Sequence, residues 1–170
     1  MTEPAASPDR WLLLLGSNVE REASMARGLR MLEVRFPVLA RSRIHESAAV
    51  GEPGDPPFWN RAVLVRFSGA GGDLRAVLHG IEAALGRDRT AVRNAPRTMD
   101  IDILLALDAS GAVLADPPVH RDLRRHHFAA VPAAEIAGDL PLPGDGLTLA
   151  AVARALGPPP QGFLALAGEP

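Results

Sequence analysis

The chain has 170 residues, with 18 basic and 20 acidic side chains and a formal net charge of −2; every basic residue is arginine, and lysine, cysteine and tyrosine are absent. A Walker A phosphate loop and Schiff-base catalysis both need lysine, so both are excluded, as are thiol catalysis, disulfides and thiolate metal clusters. The near-neutral balance provides no basic field for nucleic acid or a membrane surface.

Length fits a single domain over 1–170, and 47% hydrophobic content with only 4% aromatic predicts an aliphatic core. The longest apolar run, 11–15, is far short of the ~20 residues that cross a bilayer. The first ten residues carry Glu3 and Asp9 without the basic start of a signal peptide. The expectation is a cytoplasmic monomer with neither membrane nor nucleic-acid partners.

Residues 1–9 read as a loose tail, and the folded part is expected over 10–156. The run 11–15, closed by Gly16-Ser17-Asn18, predicts a buried strand and a strand-to-helix turn with a cap. Met25, Leu29, Leu32 and Phe36 recur at helical spacing over 22–35, and Pro37 stops that helix. Loose alternation predicts a strand over 38–47, and residues 49–57, with two glycines and three prolines, an irregular loop. A strand follows over 58–67. Asp73 is the predicted cap of a second helix through Leu85, with Gly86 as its terminator.

Residues 99–107 predict a strand with acidic interruptions. The order β-α-β-β-α-β is that of an α+β, ferredoxin-like core, an antiparallel sheet packed with helices on one face. The C-terminal extension is expected to hold a short strand at 111–115, helices at 128–136 and 148–156, and a loose tail over 157–170.

The chemistry concentrates at Asp100-Ile101-Asp102. Aspartate is disfavoured in strands, yet strand geometry puts these two on one face, about 6.6 Å apart. Two carboxylates so placed repel unless a cation lies between them, and hard oxygen donors suit Mg2+. Arg87, Arg89, Arg93 and Arg97 stand just upstream, and guanidinium forks bind phosphoryl oxygens in pairs. Together they point to nucleotide triphosphate binding without a Walker loop, its phosphate grip all arginine. Asn60, an amide beside the two aromatics Phe58 and Trp59, suits a planar heterocycle, which wants stacking and paired hydrogen bonds. His120, His126 and His127, among Arg121, Arg124 and Arg125, read as a second phosphate-contact patch; His45 and His79 read as structural.

These residues resemble the 6-hydroxymethyl-7,8-dihydropterin pyrophosphokinase family of folate biosynthesis. The resemblance is carried by Leu14-Leu15-Gly16-Ser17-Asn18, Glu46-Ser47 through Gly51, Phe58-Trp59-Asn60, Ile81-Glu82 with Gly86-Arg87, and the signature-like run from Pro96-Arg97-Thr98-Met99-Asp100 to Leu105. It implies transfer of the diphosphoryl group of ATP to 6-hydroxymethyl-7,8-dihydropterin, with release of AMP. It further implies that Asp100 and Asp102 hold Mg2+ and that Arg87 and Arg97 stabilise the transferring group. Asp102 is also a candidate acceptor for the hydroxyl proton. Glu82, Arg89, Arg93, His120, Arg125 and His126 fall on the ATP side. Ser47, Val50, Gly51, Phe58, Asn60 and Phe128 fall on the pterin side. The chain departs from the family pattern at Asn94-Ala95, at Val119 before His120, and at His126, where an arginine is usual. A pterin- or nucleotide-binding paralogue with impaired catalysis is the alternative, and an RNA-binding ferredoxin-like module a third reading. Seven aromatics, none in an RNA-stacking run, weigh against the last.

Overall fold

In the computed structural model, which describes residues 6–49, 54–87 and 98–167, the aliphatic run near the N-terminus is the central strand. β1 (Arg10–Ser17) lies between β4 (Phe58–Arg66) and β5 (Asp100–Leu107), antiparallel to both. Its burial on both faces accounts for an unbroken leucine run where a half-exposed strand would alternate. Helix α1 (Arg21–Arg35) follows β1, and α2 (Gly71–Ala84) links β4 to β5.

The strand expected over 38–47 is interrupted. β2 (Val38–Arg41) and β3 (His45–Ser47) pair in turn with the same edge of β4. Between them the Ser42 N–H still donates to the Ala62 carbonyl at 2.9 Å, but the return bond is exchanged: Ser42 Oγ accepts the Ala62 N–H at 3.0 Å, and the Ser42 carbonyl takes Nε of the buried Arg61 at 2.7 Å. A hydroxyl that replaces a backbone acceptor interrupts the ladder between the two strands. β6 (Leu164–Ala165) completes the sheet order β5-β1-β4-β3-β6. The ferredoxin-like βαββαβ order is therefore present, with β2 and β3 sharing one strand position.

Both faces are covered. Trp11, Leu13, Leu15, Val63 and Ile101 pack on α1 and α2 through Met25, Leu32, Leu74 and Leu78. On the other face, Leu12, Leu14 and Ala62 meet Leu123, Ala129, Ala133 and Val152. These come from a 3-10 turn (Arg121–Arg124), α3 (His127–Ala137) and α4 (Leu149–Ala155). The C-terminal extension thus supplies the layer that a one-sided sheet would lack.

Four local expectations are corrected. α2 begins at Gly71, with Ala70 at the cap position and Asp73 in the first turn, where a carboxylate favours the helix dipole. α1 opens at Glu20 without a side-chain cap. Residues 111–115 make one isolated bridge, Leu107↔Val113, rather than a strand. The tail after 157 is fastened to the sheet, because β6 pairs with β3 and the Leu166 N–H bonds the Ile44 carbonyl at 2.8 Å.

Candidate active site

Strand register assembles the site. Gly16 on β1 stands opposite Asn60 on β4 and Asp100 on β5, and Leu14 stands opposite Ala62 and Asp102. Directly opposed residues share a face, so Asn60, Gly16 and Asp100 form one row across three strands. Asp102 begins the next row. This is the α3 side of the sheet, past the end of the Leu14–Ala62 packing. A Cβ on Gly16 would lie 3.5 Å from Asn60 Oδ1 and 3.8 Å from the Phe58 ring. The glycine is therefore the floor beneath both.

At the β4 end Asn60 has neutral partners. Asn60, 4% exposed, donates from Nδ2 to Ser47 Oγ at 2.9 Å and to the His45 carbonyl at 3.4 Å. Those donations leave Oδ1 as the face turned toward Gly16. Trp59 departs from its expected place beside the heterocycle, because alternation along β4 turns it to the opposite face. There its Nε1 donates to Glu46 at 3.1 Å, and Arg21 lies over its ring at 5.2 Å. Phe58 alone shares the face of Asn60.

At the β5 end the groups are charged. β5 is the last strand of the sheet, and Glu82, buried at the end of α2, accepts the Ile101 N–H at 2.8 Å. Arg87 joins Glu82, at 2.6 Å, to Asp100. Asp102 sits among like charges. Burial, then Asp100, pushes its carboxyl up to about 6; Asp122 and Glu82 add to the effect, and His120 opposes it.

His120 reaches this corner because its N–H bonds the Leu104 carbonyl on β5 at 2.7 Å. Its Nδ1 accepts the Asp122 N–H at 3.3 Å, so the neutral ring carries its proton on Nε2. His126 stacks on Phe128, with centroids 4.9 Å apart and an interplanar angle of 11°, and its Nε2 lies 3.9 Å from Asp122. Arg125 is exposed beside them. Arg124 is engaged elsewhere, in a two-pronged pair with Asp145 at 2.8 and 2.9 Å.

A family model described as 7,8-dihydro-6-hydroxymethylpterin-pyrophosphokinase (HPPK) matches residues 12–138. The chain belongs to the HPPK family. A 2-amino-4-hydroxy-6-hydroxymethyldihydropteridine pyrophosphokinase of Methylorubrum extorquens is 37% identical over 142 residues, 80% of this chain and 87% of that relative. The protein of the same name from Pseudomonas aeruginosa is 33% identical over 143 residues, 79% and 84% of the two chains. Among solved structures, Plasmodium falciparum HPPK-DHPS with pteroate matches with a TM-score of 0.64 at 11% identity. That match covers 91% of this chain but 43% of that one, and it is a likeness of fold.

Of the HPPK-like residues named from the sequence, Arg87, Glu82, Asp100, Asp102 and His120 come together at the β5 end. Ser47, Phe58 and Asn60 come together at the β4 end, and Phe128 and His126 stack at the start of α3. Val50, Gly51, Arg89, Arg93 and Arg97 lie outside the described residues. The sequence reading missed Asp122, whose carboxylate faces Asp102 and both histidines; the spacing His120-x-Asp122-x3-His126 was its signal.

The β5 end also fits Mg2+. Among the described residues no three acidic or histidine side chains form a complete cage. Mg2+, however, is commonly held by one or two carboxylates with substrate phosphates completing the shell. Asp102, pushed up to about 6 by burial and then by Asp100, is a carboxylate that a bound cation would favour in its charged form.

Proposed function

We propose that this chain transfers the diphosphoryl group of ATP to 6-hydroxymethyl-7,8-dihydropterin and releases AMP, as a folate-pathway enzyme of the cytoplasm acting as a monomer. The observation that carries the reading is the single row Asn60–Gly16–Asp100 in a chain of this family. It sets a heterocycle-reading amide beside a carboxylate pair. Nothing favours a binding protein without catalysis, since Asp100, Asp102, Glu82 and Arg87 are assembled together.

Asn60 and Ser47, with the backbone of Val50 and Gly51, read the polar edge of the pterin, while Phe58 and Phe128 supply apolar and stacking surface. Asp100 and Asp102 would hold Mg2+, which supplies charge neutralisation at phosphate oxygens and Lewis-acid polarisation. Arg87 and Arg97 stabilise the charge of the transferring group, and Arg89, Arg93 and Arg125 hold the outer phosphates. His120 donates from Nε2, the tautomer that its Nδ1 bond selects. His126 lies at the outer edge of the ATP side, and Glu82 holds Arg87 in place.

The pterin hydroxymethyl oxygen forms a bond to the β-phosphorus of ATP. The bond from that phosphorus to the bridging oxygen of AMP breaks, and AMP leaves with that electron pair. Asp102 is the proposed acceptor of the hydroxyl proton. Positioning and charge neutralisation provide most of the rate.

The test is AMP formation from ATP and Mg2+ with and without the pterin. Pterin-dependent AMP together with a pterin diphosphate product is expected. AMP formation that ignores the pterin overturns the reading.

A further inference from the structure

The pterin-reading groups proposed above come from two elements: Asn60 and Ser47 from the β3–β4 ladder, and Phe128 from the start of α3. The tail joins those elements. β3 is three residues long. Its outer edge is covered by β6 through His45↔Ala165 and Glu46↔Leu164. Phe163, just before β6, stacks on His45 with centroids 5.7 Å apart and 20° between planes. The same ring meets His127 at 5.9 Å and 55°. His127 Nε2 also lies 3.1 Å from the Gly157 carbonyl, so the tail is tied at its beginning as well.

Each histidine touched by Phe163 leads directly to a pterin-side group. The His45 carbonyl accepts from the Asn60 amide, and His127 is the chain neighbour of Phe128. The geometry points to Phe163 as a positioning residue for pterin binding: seated between His45 and His127, it fixes the Asn60 amide and the Phe128 ring relative to each other. The inference rests on the pterin-side roles proposed above.

Two observations separate this role from ordinary packing. Leu164 is 46% exposed and Ala165 is exposed too, so β6 buries little apolar surface and contributes chiefly alignment. Gly157 and Gly162 have φ of +78° and +83°, conformations that disfavour other residues. The path of the tail on either side of its turn is thereby set.

The test compares Phe163→Ala, Phe163→Leu and Phe163→Tyr in the full chain. AMP formation is measured with pterin and ATP varied separately, and 6-hydroxymethylpterin binding by fluorescence titration. The Ala and Leu variants are expected to raise the pterin KM and Kd about 3- to 10-fold, with the ATP KM within about twofold, the size of a lost aromatic pair. Tyr, which keeps the stack, restores the parental values. Leu keeps the bulk and carries the test if Ala does not fold. An unchanged pterin KM in both variants overturns the inference, as does an equal rise in both KM values, which would mark general loosening. A parent chain that neither binds the pterin nor forms AMP instead overturns the functional reading, before any substitution is made.

Discussion

Asn60 and Asp100 flank the same glycine, yet one is held by neutral partners and the other lies in an ion-paired cluster. The amide has both donations met inside the protein, by Ser47 and His45. The aspartate shares Arg87 with Glu82, while Asp102 two residues on is pushed up to about 6. The difference teaches a division of labour. The β4 end is preorganised, so its selectivity is built before any ligand arrives. The β5 end is charged, with Asp100 and Glu82 joined through Arg87 and the Asp102 carboxyl buried beside them.

The largest effect expected is at the charged end. Asp100→Ala and Asp102→Ala should each lower turnover by about 10³-fold or more, the scale of losing metal-centred charge stabilisation. AMP release within about tenfold of the parent in both would move the metal site elsewhere. Next is Arg87→Ala, expected to cost about 10²-fold in kcat and to lower Tm, because it takes a cation from buried Glu82. Arg87→Lys should recover the charge but little of the rate, since one ammonium does not reproduce the fork.

At the preorganised end the effect should fall on binding. Asn60→Ala is expected to raise the pterin KM by about tenfold and leave the ATP KM unchanged, because one polar edge goes unread. A fall in kcat with steady KM would erase the proposed division between the two ends.

The sharpest contrast is in stability against pH. The Asp102 pKa is raised from 3.8 to about 6. A carboxyl raised on folding contributes stability that is full below the unfolded pKa and is lost as pH rises through the folded one. Asp102→Asn should therefore abolish turnover yet stabilise the metal-free protein at pH 8 by roughly 2 kcal/mol, with no gain near pH 4. Thermal melts in a chelator at the two pH values decide it. Gly16→Ala should have the smallest effect on stability, within about 1 kcal/mol, since its Cβ meets only ordinary contacts. Kinetics should show a several-fold loss in kcat/KM as the methyl fills the floor.

Much of this was legible because period-2 alternation assigns faces. The sequence placed Asp100 and Asp102 together, and it marked α1, the central strand and the order of the core elements. Alternation also placed Trp59 opposite Phe58, although the pair invited reading as one aromatic wall. What alternation does not encode is the exchange of a side chain for the ladder, and so Ser42 split a strand expected to run through. Nor does it encode long-range pairing. A proline- and glycine-rich tail without periodicity looked loose, whereas its order comes from the β3 edge and from two histidines, His45 and His127, that lie 30 residues or more away in sequence. Asp122 was hidden for the same reason, since its carboxylate matters only once the 3-10 turn is bonded to β5.

The row across β4, β1 and β5 has a metric consequence. Neighbouring strands are held about 4.8 Å apart by their hydrogen bonds, so the backbones bearing Asn60 and Asp100 are separated by two such steps, about 10 Å. Loops do not set that span, and exchanging them would not change it. With the roles proposed for Asn60 and Asp100, the sheet would act as a gauge, admitting a substrate whose heterocycle edge and reacting oxygen lie one fixed length apart.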